Sequence, residues 1–409
     1  MKREAGFTLI EVLVAMTLML IVVAAVLSTL SDATHATEAV SLMADTQQNL
    51  RAGMNYMVRD LMQAGNGIPQ NGISIPNSGG GSPTSSMTRP GPFTPPATSF
   101  GTFPTTWTVL PAITPGYQTG PTTTTSGVPT DMVTILYADT SLVDSNGNWL
   151  NKYPIQGASG TAGCASTNPN PNPQGTISSA GSGSGATITV TFDSSCIVIN
   201  NGNTGLQAGD LIMLQNNNTT GSLSMTASDA SVDNTTAGNV CLMTISSINQ
   251  AANSITFATN DAFKLNFSGQ GYGTITNIQS PAGSGVYPVT TATRVWMITY
   301  YIDNSNPSRP QLMRQVNLSA PKAVGDEMEH LQVFYDILNA GSSPPTVTTE
   351  QENPTLAQLP YIRDAYILMY ARSDDKYSLS KNYVRNNLET VVSIRGMDFY
   401  NEFNSTQNP

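Results

Sequence analysis

Charged residues are scarce in this sequence of 409 residues. Asp, Glu, Lys and Arg make up 11% of the chain, compared with roughly 25% in a typical soluble domain. The 17 Lys and Arg residues are outnumbered by 27 Asp and Glu residues, and they form no basic cluster. We therefore expect no nucleic-acid partner, because binding to phosphates needs clustered Lys and Arg side chains.

Histidine and cysteine are also rare, with two and three residues respectively. His35 and His330 are not at metal-ligand spacing from another His or Cys, and no Cys-x-x-Cys pair occurs. Residues 144–148 carry side-chain oxygens but lack the Gly and Glu positions of a calcium loop, and we interpret them as a turn. We predict no metal and no cofactor.

The odd number of cysteines permits at most one disulfide within the chain. Cys164 and Cys196 bracket a stretch rich in Pro, Asn, Gly and Ser, where a crosslink would most restrict the unfolded chain. We predict that these two form the disulfide. Cys241 lies in an apolar run, residues 240–245, and is expected to be a buried free thiol.

A recognisable catalytic constellation is also missing. Ser373-x-x-Lys376 and Ser378-x-x-Lys381 match the Ser-x-x-Lys motif of penicillin-interacting enzymes. The companion Ser-Asp-Asn and Lys-Thr-Gly motifs do not occur. We interpret the matches as coincidence, and we predict that the protein is not an enzyme.

What the sequence does contain is a long apolar run at its start, residues 7–30. At about 1.5 Å per residue this run is long enough to cross the ~30 Å hydrocarbon core of a membrane as a helix. Lys2 and Arg3 precede the run, and the next basic residue is Arg51. The positive-inside rule therefore predicts a cytoplasmic N-terminus and an external remainder.

Glu11 interrupts this apolar run with a full charge. An ordinary secretory signal would end in a small-residue cleavage site, for which residues 24–29 are candidates. A signal of that kind gains nothing from a carboxylate, which is costly inside a membrane and needs a partner. We therefore interpret Glu11 as functional.

Residues 6–15, Gly-Phe-Thr-Leu-Ile-Glu-Val-Leu-Val-Ala, resemble the N-terminal signal of type IV prepilins and type II secretion pseudopilins. The resemblance implies cleavage between Gly6 and Phe7 by a prepilin peptidase and N-methylation of Phe7, with Lys2 and Arg3 as the leader charges. It also implies that Glu11 pairs with the Phe7 amine of a neighbouring subunit, which would set the register of a filament. The implied partners are the membrane, other pilin or pseudopilin subunits and an inner-membrane assembly platform.

The helical pattern continues beyond the apolar run. Apolar side chains recur on one face of a helix, and the positions concerned are Leu50, Met54, Met57, Val58 and Leu61. Proline does not occur between residues 7 and 67, and Gly65, Gly67 and Pro69 then act as stop signals. We predict one helix from about Phe7 to Ala64, with its apolar stripe against a globular domain.

The remaining sequence is rich in Gly and Pro, of which the chain has 34 and 26 residues. Strand-like runs separated by turn residues occur at residues 132–138, 186–192, 210–215, 241–248, 254–258, 294–302, 312–317, 331–337, 365–371 and 390–399. The predicted fold class is α+β, with the long helix packed on an antiparallel β-sheet domain. The predicted divisions are a leader at 1–6, a transmembrane or filament-core helix at 7–30, an amphipathic extension at 31–65, a Pro/Gly/Ser/Thr-rich insertion at 66–130 that the core does not need, and a globular domain at 131–409.

Several short segments resemble PilW-type minor pilins in sequence order, and they also resemble J-type secretion pseudopilins. These segments are residues 64–68, 208–212, 294–296, 299–302, 312–314, 329–335 and 365–373. The resemblance implies a minor pilin for type IV pilus assembly, priming or tip structure, which would reside in the inner membrane with a periplasmic domain and then at the cell surface. The alternatives are a type II secretion pseudopilin and a pilus-tip adhesin.

Overall fold

The computed structural model describes much of the chain between residues 8 and 397. The gaps in the description are residues 70–71, 77–86, 93–99, 104–106, 108, 123–126, 140–141, 144–148, 151–152, 157–160, 163–170, 173–174, 181–186, 200–204, 218–239, 260, 268–272, 274–288, 340–341 and 343. The predicted leader, the Gly6–Phe7 bond, Cys164 and the predicted turn at 144–148 therefore lie outside the described residues.

A single long helix, α1, spans Leu9–Gln63 and confirms the predicted helix. At 1.5 Å per residue its 55 residues extend over about 80 Å. The helix begins at Thr8, whose backbone is extended. It ends at Ala64 because Gly65 and Gly67 follow with φ of +77° and +70°, left-handed conformations that favour glycine.

The strands follow in the order β1 Ile73–Ser74, β2 Thr88–Pro92, β3 Phe100–Thr102, β4 Val109–Leu110, β5 Ile113–Gly116, β6 Met132–Ala138, β7 Leu142–Val143, β8 Trp149–Leu150, β9 Tyr153–Gln156, β10 Thr161–Ala162, β11 Pro171–Asn172, β12 Thr176–Ala180, β13 Thr187–Thr191, β14 Leu211–Asn217, β15 Val240–Thr244, β16 Ser247–Asn249, β17 Ser254–Phe257, β18 Val289–Asp303, β19 Gln311–Val316, β20 Lys322–Asp326, β21 Met328–Asn339, β22 Thr346–Gln351, β23 Ile362–Lys376 and β24 Tyr383–Ser393. A short 3-10 turn, Leu359–Tyr361, precedes β23.

The central strand of the largest sheet is β18, which has 15 residues and pairs with different strands along its length. Its first half pairs with β14 and β9, and its second half pairs with β6 and β19. β15 extends one end beyond β14, β20 follows β19, and β5 follows β6. All of these pairings are antiparallel.

Two further sheets have four strands each. One has the order β22-β21-β23-β24 and the other has the order β12-β13-β17-β16, and both are antiparallel. The second packs its apolar side chains, such as Ile188 and Phe257, against Ile212 and Leu214 of β14. One helix on antiparallel sheets is the α+β fold that the sequence predicts.

The main core lies between the C-terminal half of α1 and the sheet that contains β21 and β23. The predicted apolar stripe is buried there, with Leu50, Met54, Met57 and Leu61 each less than 5% exposed. The helix approaches closely at Gly53, where an added Cβ would lie 2.9 Å from Leu312 Cδ2. The predicted packing of the stripe on a globular domain is therefore confirmed.

Residues 66–130 differ from the expectation that they are an insertion the core does not need. The described part of this segment forms β1 to β5, and β5 pairs with β6 in the largest sheet. Ile73, Phe103 and Leu110 are at most 1% exposed, and Ile113 is fully buried in the main core. The buried apolar residues lie in or next to strands of two to five residues, and the surrounding sequence is dominated by Gly, Pro, Ser and Thr. The composition of the segment therefore did not indicate that it packs into the core.

The strand prediction also failed at the end of the chain. Residues 390–399 were expected to form the last strand, whereas β24 spans Tyr383–Ser393. Most β24 side chains are exposed or half-buried, because the strand forms one edge of its sheet. Its first residues, Tyr-Val-Arg-Asn-Asn, therefore lack the apolar run on which the prediction depended.

We predict that Ile113→Ala lowers the free energy of unfolding by about 2–5 kcal/mol, because it opens a cavity in the main core. The matched control is Val128→Ala in the same segment, where the side chain is 38% exposed and the expected change is within about 0.5 kcal/mol. Urea unfolding of the purified full chain in detergent measures both. If Ile113→Ala changed the free energy of unfolding as little as Val128→Ala does, the segment would contribute nothing to the core.

Candidate assembly site on the N-terminal helix

The N-terminal half of α1 exposes many apolar side chains, among which Glu11 is the one charged residue before Asp32. All described residues from 8 to 34 are exposed, and Leu9 and Leu20 are 82% and 68% exposed. By length and composition, this helix is able to cross a membrane. Exposed apolar surface on this scale needs a lipid or protein environment, because its exposure to water is unfavourable.

Glu11 forms a capping box at the start of α1. The backbone N–H and the hydroxyl of Thr8 both donate to Glu11 Oε2 at 2.9 Å, and the Glu11 N–H donates to Thr8 Oγ1 at 3.4 Å. The carboxylate thereby satisfies donors at the positive end of the helix dipole. We did not predict this role, although the spacing Thr-x-x-Glu is its sequence signature.

The Glu11 side chain is exposed on the first turn of α1. In the sequence it stands four positions after the predicted mature N-terminus at Phe7. Gly6, Phe7, Lys2 and Arg3 lie outside the described residues. Cleavage, methylation and the pairing of Glu11 with an amine consequently stay predictions.

The hairpin tip, which we define as residues 377–382 between β23 and β24, holds α1 just beyond its apolar half. The Ser378 N–H donates to Glu38 Oε1 at 2.9 Å, and its hydroxyl donates to Glu38 Oε2. This hydroxyl also lies 3.0 Å from His35 Nδ1. The bond from the Ser378 hydroxyl lowers the pKa of Glu38. His35 is half-buried at this contact.

Asp60 attaches the other end of α1 to the largest sheet. Its side chain is 1% exposed, and Oδ2 accepts from the Tyr300 hydroxyl at 2.6 Å and from Arg314 Nε at 2.7 Å. Burial, followed by the charge of Asp60, raises the pKa of Tyr300. The three groups form a charged hydrogen-bond network between helix and sheet, which is costly to break in a buried environment.

Two further pairs of buried charged side chains also have structural roles. Arg294 Nε donates to Asp139 at 2.7 Å, and Arg372 Nε donates to Glu327 at 3.0 Å. Each pair joins two strands or loops that are distant in sequence. Such pairs specify packing, and they do not by themselves indicate chemistry.

The two Ser-x-x-Lys matches place their serines in structural hydrogen bonds. The Ser373 hydroxyl donates to the Asp375 carbonyl at 2.6 Å and accepts from the Val384 N–H at 3.0 Å. Ser378 is bonded to Glu38 as described above. These contacts agree with the interpretation that the matches are coincidental.

The cysteines and histidines give no metal site within the described ranges, where no group of three or more His, Cys, Asp or Glu residues could hold an ion. Cys241 is a free, fully buried thiol, as predicted, and burial raises its pKa. Cys196 is disulfide-bonded. Its pairing with Cys164 stays a prediction, because Cys164 lies outside the described residues.

Comparison with known proteins bears on the N-terminus alone. Residues 1–27 match the family model described as the prokaryotic N-terminal methylation motif. No curated protein and no solved structure matches the chain. With the motif at the start of a long apolar helix that continues into a β-sheet domain, these findings support a type IV pilin-like protein.

Proposed function

We propose that the protein is a minor pilin of the PilW type, which takes part in type IV pilus assembly, priming or tip structure. The observation that supports a role in a filament is the exposed apolar half of α1, which bears the methylation motif and emerges from a folded domain. The choice of the PilW type rests on the resemblance of the short segments named above. The globular domain of this 409-residue chain is large for a major pilin, whose domains must pack at close spacing along the filament. We therefore infer that few copies of the protein are present in each filament.

In this proposal the chain is first a single-pass inner-membrane protein with its N-terminus in the cytoplasm and its domain in the periplasm. Prepilin peptidase removes residues 1–6, Phe7 is methylated, and the assembly platform transfers α1 from the membrane to the filament. Contacts with other pilin subunits replace the lipid around the apolar side chains. The domain then reaches the cell surface with the pilus.

A type II secretion pseudopilin is the second candidate, because the methylation motif and the exposed helix fit it equally well. Mass spectrometry of sheared filaments tests the choice. The chain, with an N-terminal methylated Phe7, is expected in sheared type IV pili. Its presence only in filaments that depend on a secretion system would favour the pseudopilin.

We predict that Glu11→Ala enters the membrane at least as well as the wild type and enters filaments poorly. A carboxylate in the apolar run costs roughly 3 kcal/mol on insertion, and its removal leaves the amine of the neighbouring subunit without a partner. The measurement compares the abundance of the chain in the membrane fraction and in sheared filaments. Cleavage after Gly6 should persist, because the scissile bond is unchanged.

The capping box supplies a sharper control. Glu11→Gln keeps a side-chain oxygen for the Thr8 donors but removes the charge. If the charge sets the register, Glu11→Gln should be as defective as Glu11→Ala. Wild-type incorporation of Glu11→Gln would instead assign the defect to helix capping, and equal incorporation of all three chains would remove any register role for Glu11.

A further inference from the structure

We propose that the hairpin tip, residues 377–382, rests on the outer surface of the membrane while the subunit is anchored there, with Leu379 inserted among the lipid headgroups. The partner that contacts this surface is a lipid bilayer. The inference deepens the proposed function and rests on it, because it requires that the apolar half of α1 spans the membrane.

The first argument is position along the helix. The apolar run ends at Leu30, and the hairpin tip is bonded to Glu38 and His35. At 1.5 Å per residue, these two residues lie about 12 and 8 Å beyond Leu30. The headgroup region of a bilayer is about 5–8 Å thick on each side. His35 therefore lies at the outer edge of the headgroups and Glu38 lies a few ångströms beyond it, and the hydrogen bonds of Ser378 hold the tip at this level.

The second argument is the chemistry of the tip. Leu379 is 68% exposed, the largest exposed fraction of any described large apolar side chain beyond α1. Tyr377 precedes it and packs edge-on against His35, with 6.3 Å between the ring centroids. An apolar side chain beside an aromatic one is the combination that prefers the membrane interface. Exposure of the Leu379 side chain to water does not stabilise the fold.

The charges around the tip identify the kind of membrane contact. Lys376 and Lys381 are exposed, and so are Asp374 and Asp375. With the Glu38 carboxylate that is bonded to Ser378, these side chains carry a small negative net charge, so attraction to anionic lipids does not contribute. We therefore assign the contact to apolar insertion, and it should occur in neutral phosphatidylcholine vesicles and be insensitive to salt.

The test places an environment-sensitive, thiol-reactive fluorophore on Ser380→Cys in the full chain, reconstituted at low density in phosphatidylcholine vesicles. A lipid with a nitroxide on its headgroup serves as the quencher. Val347→Cys is the matched control, since Val347 lies on β22 beside Leu338 and far from the tip along the same sheet. The unmodified chain controls for labelling of native cysteines, of which Cys241 is buried.

Quenching at position 380 is expected to exceed quenching at position 347 several-fold and to be unchanged by salt. Adding Leu379→Asp should reduce it to the level of the control, whereas Leu379→Met should preserve it. Equal quenching at both positions, or quenching at 380 that survives Leu379→Asp, would overturn the inference. Carbonate extraction is measured in parallel. A chain that is not retained by the vesicles would contradict the proposed function itself, whereas a retained chain without quenching would contradict only the hairpin contact.

Discussion

Gly6→Arg should leave the chain unprocessed, with residues 1–6 retained and Phe7 unmethylated. Glycine before the scissile bond has no Cβ, so a peptidase can close on the backbone. An arginine there adds bulk and a charge at the edge of the apolar run. Because filament entry requires the mature N-terminus in the proposed function, the loss of the chain from sheared filaments should be nearly complete.

The measurement is mass spectrometry of the N-terminal peptide of the membrane-bound protein. Thr349→Arg, at an exposed position of β22, controls for the introduction of an arginine as such and should be processed normally. A mature N-terminus near residue 30 in the wild type would identify an ordinary secretory signal. That result would contradict the pilin interpretation as a whole.

Asp60→Ala should destabilise the protein by about 3–5 kcal/mol, the largest stability effect that we predict. The substitution removes the acceptor of the buried Tyr300 hydroxyl and of the half-buried Arg314 Nε. Arg314 is left half-desolvated without its carboxylate, and a buried unpaired charge costs more than the pair contributes. The free energy of unfolding of the full chain in detergent, from urea titration, measures the loss.

The matched control is Asp32→Ala, which removes an exposed carboxylate from the same helix and should change the stability by no more than about 0.5 kcal/mol. Tyr300→Phe, alone and combined with Asp60→Ala, separates the contribution of the Tyr300 hydroxyl to stability from the contribution of Arg314. Because the Tyr300 hydroxyl donates to Asp60, each single substitution removes the same hydrogen bond, and the combined effect should be smaller than the sum of the single effects. If Asp60→Ala matched Asp32→Ala, α1 would not be attached to the sheet through Asp60.

The parts of the structure that could be predicted have local signals. The helix follows from its periodicity and from the glycines that end it, and several strands follow from apolar runs between turn residues. The Glu11 capping box also has a local signal, in Thr8 and its spacing to Glu11, and it could have been predicted.

The attachments of α1 could not be predicted in this way. Asp60 lies 240 residues from Tyr300, and Glu38 lies 340 residues from Ser378. Nothing in the local sequence of a carboxylate indicates which distant donor it meets, because tertiary packing decides the partner. The strands of residues 66–130 were missed for a related reason. These strands, β1 to β5, have only two to five residues each, which is too short for a repeating apolar pattern to be recognised.

The two attachments of α1 determine how the molecule responds to mechanical load. Glu38 and Asp60 are about 33 Å apart along the helix at 1.5 Å per residue, and the apolar stripe lies between Leu50 and Leu61. Tension along the helix axis would slide α1 across the sheet, so that the hairpin tip, the stripe and the Asp60 network bear the force at the same time. A pull across the axis would instead open these contacts one after another. Tension transmitted through the N-terminal half of α1 therefore acts in the direction in which the domain is strongest.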